Sequence, residues 1–295
     1  NLMHFSIVII SYKSITVLDK CLSNLGLKRE VLVIENSKDI DLKEKIEKKF
    51  SNCKVIVNNE NHGYGKAANI GFQKIKTKYA FILEPDIIIN EDQLNQIENE
   101  ISICDEDFAL ATPLYDDLID FNKNNNFDKN LSEKNLSINS EESKTKIDLI
   151  KGCSLIVNLD KFKDKYVFDE NFFFFFEDID LCKRVKKMKE NIFVFNKIKI
   201  FHEGAKGVNP SINKNYSDFR HWNFFWAKFY YCKKHYGYTT AIITHLSKLI
   251  RFSFNCLRFY FLSDTEYRKN KYRFLGLINS ILCRKSFLSK KILEK

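Results

Sequence analysis

Four short runs rich in branched apolar residues constrain this chain most: FSIVIIS (5–11), EVLVIEN (30–36), KVIVN (54–58) and YAFIL (79–83). They are nearly continuous rather than alternating, as expected of strands buried on both faces. Helical spacing fills the gaps between them. Ile15–Leu25 sets Leu18, Leu22 and Leu25 on one side, Asp41–Phe50 is a charged helix, and His62–Lys76 is a loop entering a helix. Strand and helix in alternation predict βαβ units and a parallel sheet. Ligands of such sheets sit at the carboxyl ends of the strands. The polar residues to examine are therefore Tyr12, Glu35 to Ser37, Asn59 to Gly65, and Glu84 to Asp86.

The 295 residues suffice for one large domain or two modest ones. With 44% hydrophobic and 29% charged residues the chain is globular rather than disordered, and 9 Gly with 3 Pro exclude collagen-like or linker-rich architectures. The net charge of +10 is unevenly placed: residues 221–295 hold 15 Lys and Arg against 3 Asp and Glu. That quarter carries +12 and the first 220 residues −2. A basic tail of this kind meets an anionic membrane surface or nucleic acid, or is simply a solvated surface. The eight Cys form no CxxC pair and no zinc-finger spacing with His, so they read as reduced thiols of a cytosolic chain. The opening NLMHFSIVII lacks the charged start of a signal peptide. No run of 18 uncharged apolar residues occurs, and no spanning helix is expected.

Residues 116–147 are polar and are read as a mobile loop inside the domain, either a working lid or disordered, before strand-like sequence resumes at 147–157. Phe172 to Phe176 form five consecutive Phe, read as a buried strand with some rings available to line a pocket. Beyond 221 the chain turns aromatic and basic. Lys248, Arg251, Asn255 and Arg258 share one helix face, with Leu246, Leu249, Ile250, Leu257 and Phe261 elsewhere. Such a helix either lies in a membrane interface or docks on the protein's own core.

Three places could carry chemistry. Glu84-Pro85-Asp86 puts two carboxylates at a strand end, where they can hold Mg²⁺ or Mn²⁺ or merely form a turn. Glu177, Asp178 and Asp180 crowd three acids into four residues, which suits a general base or metal site as well as a helix N-terminus. His202 follows another apolar run and is either structural or a ligand.

In combination and order, these features resemble the family 2 glycosyltransferases, inverting enzymes that use nucleotide-sugar donors, and within them a rhamnosyltransferase-like branch. The resemblance spans roughly residues 4–235 and is carried by FSIVIISYKS, VLVIENS, NENHGYGKAANIGF, FILEPDIII, FDENFFFFFEDIDLCKRV and FHEG. It implies a GT-A fold, an α/β Rossmann-like mixed sheet flanked by helices, with a helical basic and aromatic C-terminal extension. The catalytic domain would cover 1–220, with a nucleotide-binding half 1–115, the loop 116–147 and an acceptor half 148–220. Ser11, Tyr12, Glu35 and Asn36 would contact the nucleoside, and Gly63, Gly65 and Asn69 would support the donor. Asp86, with Glu84 near the ribose or the ion and His202 as a further ligand, would bind Mn²⁺ or Mg²⁺. Asp178 would be the base, with Glu177 or Asp180 orienting it or the acceptor. Glu35 and Glu84 depart from the family pattern, which more often has Asp, or Asn and Asp, at these places.

The implied function is transfer of a sugar, rhamnose first, from a dTDP- or UDP-linked donor to a lipid-linked or polysaccharide acceptor in bacterial surface-glycan synthesis. The enzyme would lie on the cytoplasmic face of the membrane, and no nucleic acid is expected as a partner. Competing readings remain. A sugar nucleotidyltransferase needs a Gly-rich N-terminal phosphate loop, and SYKSITVLDK has no Gly. A single-stranded nucleic-acid binder using 221–295 leaves the acidic motifs unexplained. A degenerate transferase that only binds is separated by activity of Asp178 and Asp86 variants.

Overall fold

The structure, a computed structural model, describes residues 5–123, 128–131, 136–139, 141–203 and 213–293. The chain forms two compact units, Asn1–Asp169 with Asp178–Asn209, and Glu170–Glu177 with Pro210–Lys295. The expected boundary near 220 thus differs from the division near 210, and the Phe run goes with the C-terminal unit.

The first unit opens with β1 (Phe5–Ser11), α1 (Ile15–Leu25), β2 (Val31–Glu35), α2 (Ile40–Lys49), β3 (Cys53–Val57), α3 (Tyr64–Lys74) and β4 (Tyr79–Leu83), which is the predicted alternation. It continues through β5 (Ile87–Ile88), α4 (Glu91–Ile103), β6 (Leu110–Tyr115), α5 (Leu118–Lys123), β7 (Lys144–Lys146) and β8 (Ser154–Asn158). Next come α6 (Glu177–Lys187), whose first residue is counted with the other unit, and β9 (Ile192–His202). The sheet order is β3-β2-β1-β4-β8-β6-β9-β5, with β7 also on β9. β1 pairs parallel with β2 and β4, whereas β8 runs antiparallel to β4, so the sheet is mixed.

Every residue of β1, β4 and β8 is buried, which requires cover on both faces of the sheet. Helix α3 packs on β1 and β2, α2 on β3, and α4 on β9. Helix α1 turns Leu18, Cys21, Leu22 and Leu25 inward as its spacing predicts. Each of the three leucines contributes roughly 1.5–3 kcal/mol of burial. Helix α4 starts on a reciprocal cap, in which Asn90 accepts from the Gln93 N–H and Gln93 from that of Asn90.

Two expectations are corrected in this unit. The stretch 116–147 is not one unstructured loop: α5 and β7 form within it, and Asp128 is buried in an ion pair with Lys183 at 2.8 Å. Its positions 124–127, 132–135 and 140 lie outside the described residues, as do 204–212, which include the Gly of FHEG. The strand expected over 147–157 is confined to Ser154–Asn158, although Ile147, Leu149 and Ile150 are buried.

The second unit consists of α7 (Asn213–Tyr236), α8 (Tyr238–Phe259), α9 (Asp264–Ile281) and the short α10 (Lys290–Leu293). Helices α7 and α9 approach so closely that a Cβ on Gly276 would stand 2.1 Å from the Trp222 carbonyl oxygen, so only glycine fits there. Phe225, Phe229, Ala241, Phe252 and Leu277 form its core. The five Phe are not a strand. Phe175 and Phe176 take left-handed backbone angles, φ 70° and 68°, and the rings pack on α7 instead: Phe173 on Phe219 at 5.8 Å, Phe176 on Phe224 at 5.6 Å. An apolar run without period looks the same whether its partners are strands or helix-borne rings.

Candidate active site

The carboxyl ends of β1, β2 and β3 are level, with Ser11 opposite Glu35 and Glu35 opposite Val57. Glu35 is fully buried, and its Oε1 accepts from both the N–H and the hydroxyl of Ser37. Burial pushes its carboxyl above the ordinary value, while hydrogen bonds from Ser11 and Ser37 oppose the rise. The next residue, Asn36, organises the neighbouring loop. Its Nδ2 donates to the Gly63 carbonyl at 3.0 Å, and its Oδ1 accepts from Asn58 Nδ2 at 2.8 Å. Gly63 precedes α3 at φ 77°, an angle that favours glycine. Gly65 is buried in the first turn and Tyr12 half-buried after β1. Ser11, Glu35, Asn36, Gly63 and Gly65 thus belong to one rim of strand ends and the loop beside it.

Asn69 has a different surrounding. It is fully buried in α3; its Oδ1 accepts from the N–H groups of Val167 and Phe168 at 3.1 and 2.9 Å, and its Nδ2 donates to the Phe168 carbonyl at 2.9 Å. These bonds tie α3 to the 167–168 backbone.

Beyond β4 the chain turns at Glu84-Pro85-Asp86 into β5, with the Ile87 N–H donating to the Glu84 carbonyl at 3.1 Å. β5 pairs antiparallel with the end of β9, placing Ile87 opposite His202, and the Glu203 N–H donates to the Asp86 carbonyl at 3.1 Å. This register brings His202 Nε2 to 3.5 Å from Asp86 Oδ1 and 3.7 Å from Glu84 Oε2. One ligand atom from each of the three lies within 4.8 Å of the others. Ligands about 2.1 Å from one octahedral ion stand about 3–4 Å apart, so small side-chain rotations suffice to close the set. Two carboxylates and an imidazole suit Mn²⁺ or Mg²⁺, with further positions left for phosphate oxygens. Pairing first with Asp86 and then with Glu84 holds the His202 imidazolium up at about 10, as expected of a negative pocket suited to a cation.

Asp178 stands in the first turn of α6 and is half-buried. Its Oδ2 accepts from the Gly152 N–H at 3.1 Å and its Oδ1 from the Ile179 N–H at 2.8 Å. Burial raises its pKa, the two N–H groups oppose that, and the charge of Glu84 adds to it. Gly152 links Asp178 to the acidic turn, because the next residue, Cys153, accepts the Glu84 N–H at 2.9 Å. Asp180 is fully buried and engaged with Arg184 Nε at 2.8 Å, an ion pair within α6. Glu177 is buried too and belongs with the second unit. Asn58 and Gly152 were not singled out from the sequence: each acts through bonds to residues distant in the chain. A glycine just before a buried strand was the one available signal for Gly152.

Residues 6–162 match the profile of Glycosyl transferase family 2. The Low-salt glycan biosynthesis hexosyltransferase Agl10 of Haloferax volcanii is 21% identical over 196 residues, 63% of this chain and 63% of that protein's length. The mannosyltransferase PcManGT of Pyrobaculum calidifontis, solved with GDP-Man and Mn²⁺, superposes at TM-score 0.57 and 10% identity over 96% of this chain and 88% of the other. Residues 1–349 of S. aureus TarS superpose at TM-score 0.50 and 17% identity over 95% and 81%. At such identities the structural likeness speaks for the GT-A fold. The profile covers more than half of the sequence, and on that ground the chain belongs to glycosyl transferase family 2.

Proposed function

We propose that this chain is an inverting glycosyltransferase that moves a hexose from a nucleoside-diphosphate donor to an acceptor hydroxyl. The observation that carries the reading is a raised-pKa carboxylate, Asp178, oriented by the Gly152 N–H beside the Glu84, Asp86 and His202 cluster. The rim of Ser11, Tyr12, Glu35 and Asn36 takes the nucleoside, and the loop around Gly63 and Gly65 the rest of the donor. Glu84, Asp86 and His202 would hold Mn²⁺ or Mg²⁺, which when bound would supply Lewis-acid positive charge for the departing diphosphate. Asp178 accepts the proton of the acceptor hydroxyl; the oxygen forms its bond to the anomeric carbon as the bond to the diphosphate breaks on the opposite face. One displacement inverts that carbon. A base with a raised pKa is better matched to this work near neutral pH than an ordinary carboxylate.

PcManGT was solved with GDP-Man and Mn²⁺, and Agl10 is a hexosyltransferase of glycan biosynthesis, which supports this class of donor and a hexose as the group transferred. More finely, the proposal is a dTDP- or UDP-linked donor, rhamnose first, and a lipid-linked or polysaccharide acceptor of a bacterial surface glycan. The work would be done at the cytoplasmic face of the membrane. No helix among the described residues is long and apolar enough to cross a membrane. The test is a thermal-shift panel of nucleotide sugars and nucleoside diphosphates, each with Mn²⁺ and with EDTA. A Mn²⁺-dependent rise with one nucleotide is expected, followed by transfer from the matching sugar donor. No rise with any nucleotide overturns the reading.

A further inference from the structure

Helix α8 is apolar on two opposite sides. One side is the core face, where Ala241, His245 and Phe252 are buried and the Phe252 ring meets Phe225 at 4.7 Å. At 3.6 residues per turn, Ile243, Leu246, Ile250, Phe254 and Leu257 line up about half a turn away, and Phe261 extends the line into the turn that follows. Burial on the core therefore does not account for them: Leu246 is 50%, Ile250 63%, Leu257 76% and Phe261 91% exposed. Beside this stripe stand the exposed Arg251 and Arg258, with Lys248 further round. Helix α8 contains no Asp or Glu.

An exposed apolar stripe of this length marks an interaction surface, and charge selects its occupant. Residues 221–295 carry +12. Two copies of this surface pressed together would bring like-charged rows against each other, which disfavours a self-association face. An anionic bilayer satisfies both features, taking the apolar stripe into the acyl boundary and the arginines among its headgroups. We infer that the outer face of α8, Ile243 to Phe261 with Arg251 and Arg258, is a membrane-interface anchor that lies in the plane of an anionic lipid surface. The inference rests on the membrane-bound part of the proposed function and names the surface responsible.

The test is flotation of the full chain with vesicles of phosphatidylcholine alone and of phosphatidylcholine with about one-third phosphatidylglycerol, since the attraction is to anionic lipid. The protein is expected to float with the anionic vesicles only. The triple variant Ile250→Ser, Leu257→Ser, Phe261→Ser is expected to remain at the bottom, with its helical circular dichroism unchanged. Arg251→Gln and Arg258→Gln should each weaken binding roughly fivefold, the increment of one basic residue near an anionic surface. They keep the test decisive if the serines lower stability. Flotation of the triple variant like the parent, or no flotation of the parent, overturns the inference. So does a concentration-dependent dimer in sedimentation that the triple variant abolishes, which gives the face to a second copy. Mn²⁺-dependent nucleotide binding, measured on the same variants, is expected to be unchanged. If it persists without flotation, only the anchor falls; flotation without nucleotide binding sinks the transferase reading and leaves the anchor.

Discussion

Gly152 donates its backbone N–H to Oδ2 of Asp178 at 3.1 Å. The carbonyl of the same glycine accepts the Tyr64 hydroxyl at 2.5 Å, and Tyr64 is the first residue of α3, directly after Gly63. A single residue thus couples the candidate base to the start of the helix that follows the Gly-rich loop. The N–H favours the ionised carboxylate, which burial disfavours. The balance leaves Asp178 more basic than a solvated Asp and fixed in orientation.

Asp178→Asn removes the proposed proton acceptor and keeps the shape. Turnover is expected to fall by about 10²–10⁴, while Mn²⁺-dependent nucleotide binding stays. Because the folded-state pKa is raised, holding Asp178 ionised costs stability in full above that pKa, and the cost declines as the pH falls from there towards the ordinary carboxylate value. In the parent, the rate should decline on acidification before an ordinary carboxylate would begin to protonate. An active Asn variant refutes the assignment.

Asp86→Ala removes the most buried member of the cation cluster. The parent should gain about 2.7 kcal/mol of stability at 100 times the dissociation constant of Mn²⁺, and the variant none, read by thermal unfolding with and without EDTA. In the metal-free parent, the His202 imidazolium is held up to about 10 chiefly by Asp86, then Glu84. Its ion pairing supports the fold fully below pH 6.5 and is lost as the pH rises towards 10. A histidine NMR titration should show that high value in the parent and a lower one in Asp86→Ala.

Asn69→Ala distinguishes a fold support from a donor contact. It strands the N–H groups of Val167 and Phe168 and the Phe168 carbonyl, in a place where the residue is wholly buried. Unmet buried polar groups cost about 1–3 kcal/mol each, partly relieved by relaxation. A loss of about 3 kcal/mol in denaturant unfolding is expected, with nucleotide affinity little changed well below the transition. A large loss of affinity at unchanged stability would make Asn69 a direct donor contact.

The first four strands were legible because a strand covered on both faces has to be apolar throughout, and branched runs between helical segments have few other uses. Glu84 and Asp86 were legible as strand-end acids for the same reason. The distance from Asp86 to His202 was not, since it depends on Ile87 pairing with His202 across the β5–β9 ladder. Spacing alone did not tell Asp178 from Asp180, and only the family resemblance named Asp178 as the base; in the fold, Asp180 is engaged by Arg184 whereas Asp178 accepts from the Gly152 N–H. The Phe run failed as a strand because its partners, Phe219 and Phe224, lie on a helix far along the chain. In α8 the spacing showed the basic face, but which apolar residues faced the core required the neighbours α7 and α9.

His245 gives the second unit an acid-sensitive core. It is buried in α8, its Nδ1 stands 2.9 Å from the Ala241 carbonyl oxygen and so carries the proton, and its Nε2 has no hydrogen-bond partner among the described residues. Burial drives its pKa down from 6.5 to about 4, with the charges of Lys248 and Lys228 acting in the same direction. Between those values the unfolded chain binds a proton that the folded unit does not, so stability falls as the pH drops below 6.5. From pH 7 to pH 5 the loss due to this group is about 2 kcal/mol. His245→Leu, close in volume, removes the titrating group. His221, pushed down to about 4 by burial, leaves a residual slope of the same sign in both proteins. Urea unfolding of parent and variant at pH 7 and pH 5 isolates the difference. The parent should lose about 2 kcal/mol more than the variant, and equal losses would show that His245 takes up its proton in the folded state.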